Sequence, residues 1–156
     1  MASLFRRIVV PHDFSTHADH ALAVATELAA ARRGRVVVLH VIVPYPATPL
    51  AVADPVPMIV PTELVKPTRE RLEQAVRKRF PRRARMFDCR VVIGDPAQEI
   101  VDAGRRADSI VMSTAGRTGL AHLLIGSVAE KVVRHATCPV LTLRETAVRR
   151  RAKRRA

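Results

Sequence analysis

Tryptophan is absent, and aromatic residues make up only 3% of this 156-residue chain. Recognition of unstacked bases needs aromatic faces, so there is no stacking platform here; no helix-turn-helix pattern appears either. Cysteine is scarce: Cys89 and Cys138 are the only two, in apolar strand-like surroundings that suit buried thiols in a reducing compartment. No apolar run approaches the roughly eighteen residues of a membrane span. The apolar run near the start is short and is followed by charged and polar residues, so no secretory leader is expected and the expected compartment is the cytoplasm.

Acidic residues are also few, 14 against 27 Lys and Arg, for a net charge of +13. The excess is uneven. From Arg144 to Ala156 the chain carries Arg144, Arg149, Arg150, Arg151, Lys153, Arg154 and Arg155 against Glu145, a net +6 that leaves +7 on the rest. Like charge at that density repels itself, so residues 145–156 read as a disordered basic tail. It is either a solubilising tail or an unspecific contact for nucleic acid. Residues 1–144 have the size of one domain.

What is present alternates. Ile8, Val9 and Val10 form a continuous apolar run, the mark of a strand buried on both faces. Ser15, or Thr16 in a capping box with Asp19, opens a helix with the stripe Ala21, Leu22, Ala25, Leu28 and Ala29, ended by Gly34. Val36 to Val43 is a second strand. Between Pro44 and Pro61 fall six of the eleven prolines, which predicts an irregular excursion, a lid or a subunit contact. Pro67 suits the first turn of a helix with the stripe Leu72, Ala75, Val76 and, by its stem alone, Arg79, ending before Pro81. Cys89 to Ile93 is a third strand. Asp95-Pro96 caps a helix with Ile100, Val101 and Gly104 inward, and Ser109 to Met112 is a fourth strand.

The stretch from Asp108 to Leu143 organises the rest. After the fourth strand come small and polar residues, Ser113 to Gly119, then a short apolar hinge and Gly126-Ser127. A helical stripe follows, Val128, Ala129, Val132, Val133 and Ala136, and then a fifth strand, Val140 to Leu143. In such a βαβ unit, a glycine-bearing loop lets a phosphate reach the unpartnered amides of the helix start. Gly116, Gly119 and Gly126 permit that approach, or only turn the chain. Five strands alternating with four helices predict an open parallel α/β sheet with helices on both faces.

Gly116-x9-Gly126-Ser127, followed by VAEKVVRHATCPVLTLR, resembles the universal stress protein family, whose nucleotide-binding members carry G-x2-G-x9-G-[S/T] here. Val9 to Asp13, Leu39-His40-Val41, Gly94-Asp95-Pro96 and Ala107 to Met112 agree in order and spacing. The resemblance implies a single five-stranded sheet of order 3-2-1-4-5, Rossmann-like and of the adenine nucleotide α-hydrolase type. It also implies a homodimer through the exposed edge of Val140 to Leu143, which would be a poor edge to leave bare.

Carried over by position, it places adenine and ribose near Pro11, Asp13 and the backbone of Val41. Phosphates would lie against Met112, Ser113 and Gly116, and against Gly126, Ser127 and Val128. The implied ligand is ATP or AMP, with Mg2+ as an optional companion. Asp13 would accept hydrogen bonds from ribose hydroxyls or cap the following helix. Arg117 and Lys131 would approach phosphate or stay solvated.

Two departures bear on this reading: Ser113 stands where the motif has its first glycine, and Ala115 where histidine is frequent. Serine would be strained if that position needs a positive φ. The implied role is a stress-response sensor or regulator acting by binding, not an enzyme. The alternatives are a protein-interaction scaffold that has lost nucleotide binding, or a slow ATPase. His12, His17 and His20 beside Asp13 and Asp19 form a second, metal-binding alternative.

Overall fold

The computed structural model describes residues 5–46, 58–114 and 126–144. Strand β1 (Arg7–Pro11) leads through helix α1 (Thr16–Ala30) to β2 (Arg35–Ile42). Helix α2 (Val65–Arg79) leads to β3 (Phe87–Ile93), and α3 (Pro96–Gly104) to β4 (Ser109–Ser113). Finally α4 (Ser127–His135) leads to β5 (Val140–Leu143). The five strands form one parallel sheet in the order β3-β2-β1-β4-β5, as expected.

Alternate residues of the inner strands face opposite ways and build two cores. Ile8, Val10, Val36, Val38 and Val111 pack with Leu22, Ala25, Leu72 and Val76 of α1 and α2. Val9, Val37, Leu39, Ile110 and Met112 pack with Ile100, Val101, Ala129 and Val132 of α3 and α4. Each fully buried Val, Leu or Ile contributes about 1.5–3 kcal/mol relative to exposure, so the two faces carry most of the stability. Cys89 belongs to the first core and Cys138 lies against the second, so the sheet separates the two free thiols. Burial pushes the Cys89 thiol up to about 11, which keeps it protonated at neutral pH.

Some local expectations hold and others are corrected. Ser15 caps α1, its Oγ accepting from Ala18 N–H at 3.1 Å. Asp19 instead faces His12 and Arg79. Ala75 and Val133 are exposed, because α2 and α4 touch the sheet through narrower stripes, Leu72 with Val76 and Ala129 with Val132. Pro67 lies in the first turn of α2 but at its third residue. The third strand begins at Phe87, two residues before the apolar run. Tyr45–Pro46 and Met58–Ile59 pair as a short antiparallel ladder, so the proline-rich excursion starts and ends at one place; residues 47–57 lie outside the described set.

The end of α1 is also built differently. Gly34 N–H donates to Ala29 O at 2.8 Å and Arg33 N–H to Ala30 O at 3.2 Å, a Schellman closure. The left-handed position is Arg33, at φ 51°, rather than the glycine. An L side chain is unfavourable there, so Arg33→Gly is expected to stabilise the fold by about 0.5–1 kcal/mol, read as a higher urea midpoint.

Candidate functional site

The sheet splits at its carboxyl end. β1 pairs with β2 as far as Pro11 opposite Leu39, and β4 pairs with β5 as far as Ser113 opposite Leu143. Between β1 and β4, however, only Ile8 with Ser109 and Val9 with Ile110 are in register. Beyond those two rungs the strands part. This is the place where strand order reverses, and open α/β sheets bind ligands outside the carboxyl ends of the strands at that reversal.

One lip is the end of β1. His12 N–H donates to Leu39 O at 2.8 Å, the last backbone link to β2. The next rung would run from Val41 N–H to His12 O. His40 Nδ1 donates to that carbonyl instead, at 2.7 Å. Along β2, Leu39 O serves β1 while Ile42 O accepts from Gly94 N–H on the β3 side. By the same alternation the backbone groups of Val41 face β1, past the end of its ladder.

The turn into α1 is held by a buried histidine. His12 is 5% exposed; its Nδ1 accepts from Phe14 N–H at 3.2 Å, so Nε2 carries the proton and donates to Asp19 Oδ1 at 3.2 Å. Phe14 adopts φ 64°, unusual for a bulky residue. Its ring lies 4.8 Å from that of His40, with the Arg71 guanidinium 4.3 Å from its centroid. Asp13 sits within this turn, half-buried, with Oδ1 accepting from Ser15 N–H at 3.0 Å. It therefore braces the helix entry without being its cap.

The other lip joins the ends of β4 and β5 to the start of α4. Thr114 N–H donates to Leu143 O at 3.0 Å, and Thr114 O accepts from Gly126 N–H at 3.0 Å. A Cβ on Gly126 would lie 2.9 Å from Thr114 O. Its φ of −56° suits any residue, so glycine is needed for the close approach. Because the Gly126 amide is occupied, the first amides that can meet an anion at this end are those of Ser127 and Val128. The first helical bond is Glu130 N–H to Gly126 O at 2.9 Å, and among the described residues no side chain caps α4. A helix start without a cap carries unpartnered donors and partial positive charge.

Ser113 lies in β4, and the only non-glycine residues with positive φ among those described are Phe14 and Arg33. Serine is thus unstrained where the motif has glycine. Met112 is buried in the second core, so only its backbone is open to a ligand. Pro11, Asp13 and Val41 are gathered on the first lip; Met112, Ser113, Gly126, Ser127 and Val128 are gathered on the second. Gly116, Ala115, Arg117 and Gly119 lie outside the described residues. No three of His, Cys, Asp and Glu among the described residues are grouped to hold a metal ion. No described helix is long and apolar enough to cross a membrane.

The comparisons agree with this geometry. Residues 4–144 match the universal stress protein family. A universal stress protein of Methanocaldococcus jannaschii is 34% identical over 149 residues, covering 92% of this chain and 84% of its own. One of Thermus aquaticus is 34% identical over 144 residues, covering 90% and 100%. A family structure from Burkholderia pseudomallei superposes with a TM-score of 0.63 at 32% identity, covering 92% and 98%. The same fold occurs in a universal stress protein in complex with cAMP (TM-score 0.60, 21% identity, covering 90% of this chain and 97% of its own). It occurs again in one from Archaeoglobus fulgidus in complex with dAMP (0.59, 24%, 89% and 98%). By the family match and by both relatives, the chain belongs to the universal stress protein family.

Proposed function

We propose that the split between β1 and β4 takes an adenine nucleotide, and that the chain works as a stress-response regulator by binding it rather than by turning it over. The observation that carries the reading is the early end of the β1–β4 ladder, with Val41 and Asp13 on one lip and the uncapped start of α4 on the other. Val41 would offer N–H and C=O to the adenine edge, Asp13 a carboxylate to the ribose hydroxyls, and Ser127 and Val128 their amides to phosphate. The cAMP and dAMP complexes of family members support the ligand class. ATP or AMP is the proposed ligand, with Mg2+ bridging phosphates where more than one is present. The described lips hold a single carboxylate, Asp13, and it is engaged with Ser15 N–H, which favours holding over hydrolysis.

The proposed working unit is a cytoplasmic homodimer. β5 is an edge strand, and Leu141 on it and Val133 on α4 are 39% and 49% exposed. Antiparallel pairing of β5 with its copy would cover both an open backbone edge and this apolar surface. Sedimentation at micromolar concentration is expected to give a dimer, and a monomer would remove this part of the reading. For the tail, residues 145–156, an added unspecific electrostatic contact with nucleic acid is the proposed use, so replacing its Lys and Arg by Gln is expected to weaken binding without abolishing it. For the nucleotide, the purified protein is denatured and the supernatant separated by chromatography. An adenine nucleotide near one per chain supports the reading; no nucleotide, together with no heat on titrating ATP, ADP or AMP at millimolar concentration with magnesium, leaves the scaffold alternative.

A further inference from the structure

The opposite end of the sheet carries a separate feature that the crevice does not use. In a parallel sheet every helix-to-strand connection returns to the same end, and here each of the first four strand entries brings arginine. Arg6 and Arg7 open β1, and Arg32, Arg33 and Arg35 lead into β2. Arg82, Arg83 and Arg85 precede β3, and Arg105 and Arg106 precede β4. Register places these entries side by side: Arg7 is opposite Arg35, Val36 opposite Phe87, and Ile8 opposite Ser109. Adjacent strands lie about 4.8 Å apart, so the four entries span roughly 14 Å.

Little on the protein neutralises this pole. Arg83 pairs with Glu27 at 2.8 Å and Arg105 with Asp102 at 3.0 Å. Asp108 lies here too, its Oδ2 accepting from Arg6 N–H and Arg7 N–H at 3.0 and 2.7 Å. The remaining arginines make no ion pair among the described residues, and all of them are exposed. Helix C-termini favour cations, which accounts for Arg32, Arg33, Arg105 and Arg106. It does not account for Arg6, Arg7 and Arg35, which sit at strand starts, nor for like charges directly opposite each other at Arg7 and Arg35, an arrangement that costs stability unless an anion lies over it.

We infer that this arginine pole is a docking surface for the phosphate backbone of double-stranded nucleic acid, bound without regard to sequence. Arginine forks grip phosphate oxygens in pairs, and the connections into these four strands carry arginine and no lysine. The aromatic rings nearest it, Phe5, Phe80 and Phe87, pack against the core, so no platform exists for stacking single-stranded bases. None of the exposed large hydrophobic residues among those described, Val43, Tyr45, Val60, Leu64, Val133 and Leu141, lies on these connections. A bilayer would thus find nothing to anchor, which favours a duplex over a membrane. The inference is independent of the crevice, which lies at the other end of the strands.

The test uses full-length protein and fluorescence polarisation with a 20-base-pair duplex, as DNA and as RNA, between 50 and 200 mM salt. Replacing Arg7, Arg35, Arg85 and Arg106 by Gln is expected to weaken binding at least about tenfold and to flatten the log–log salt slope by about three to four, near one per lost phosphate contact. Replacing Lys66, Arg69, Arg90 and Lys131 by Gln, an equal charge change away from the strand entries, should leave the slope within about one of the wild type. Loss with either duplex supports the inference, and the pair tells which backbone is preferred. A milder variant, Arg7→Gln with Arg35→Gln, checked for a urea midpoint no lower than that of the wild type, separates lost contacts from lost folding. The inference is overturned if the pole variant binds like the wild type, or if Gln in place of the tail's Lys and Arg abolishes binding while the pole is intact. It is equally overturned if anionic vesicles are bound and neither duplex is.

Discussion

Gly34→Ala is expected to cost about 3 kcal/mol or more in stability. A Cβ at Gly34 would lie 2.5 Å from Arg6 O, 2.7 Å from Arg6 Cα and 2.8 Å from Phe5 O. All three are backbone atoms of the segment entering β1, which is fixed in place by Arg35 N–H donating to Arg6 O at 2.6 Å and by the Asp108 carboxylate. Overpacking that a side chain can relieve costs about 1–3 kcal/mol; here the strand itself would have to move. Gly94 offers the contrast, since a Cβ there meets only the Glu99 side chain, which can swing into solvent. Thermal and urea unfolding are the measurements. Gly34→Ala should lower the melting temperature by roughly 6–12 °C, and Gly94→Ala should stay within about 0.5 kcal/mol of the wild type.

Gly126→Val is expected to reduce adenine nucleotide affinity about a hundredfold while costing less stability than Gly34→Ala. The added Cβ meets a single backbone atom, Thr114 O, at 2.9 Å, and the branch methyls crowd the same side. Relief comes by moving the start of α4 away from β4. That breaks the bond from Gly126 N–H to Thr114 O and carries the amides of Ser127 and Val128 off the lip on which phosphate would rest. A loss of about 2.7 kcal/mol in binding corresponds to the hundredfold change. Calorimetry with ATP on both proteins reads it. Equal affinity would show that phosphate, if bound, is held elsewhere.

Much of the fold was legible because the inner strands are buried on both faces and so appear as unbroken apolar runs, Ile8 to Val10 and Val36 to Leu39. The edge strand β3 was read short because Phe87 and Asp88 stand in an alternating pattern with exposed positions. Helical stripes were drawn too wide: Ala75 and Val133 fit the period but lie beyond the line of contact with the sheet. The site was legible residue by residue through the motif, whereas its shape was not. That β1 and β4 pair at two rungs only, and that His40 takes the carbonyl Val41 would have used, are properties of strand register. Phe14 at φ 64° gave no signal, since phenylalanine is not a residue one expects there. The arginine pole was dispersed along the chain, and only the parallel topology gathers Arg7, Arg35, Arg85 and Arg106 at one end.

The central claim is that one crevice, between the ends of β1 and β4, receives the nucleotide. Titrating AMP into isotope-labelled protein and following backbone amide resonances tests it directly. The predicted result is a saturable shift confined to Val41, Asp13, Ser113, Ser127, Val128 and their neighbours, with Arg33, Arg85 and Arg106 at the far end of the strands unmoved. Shifts that cluster at the arginine end and leave Val41 and Ser127 still would contradict it.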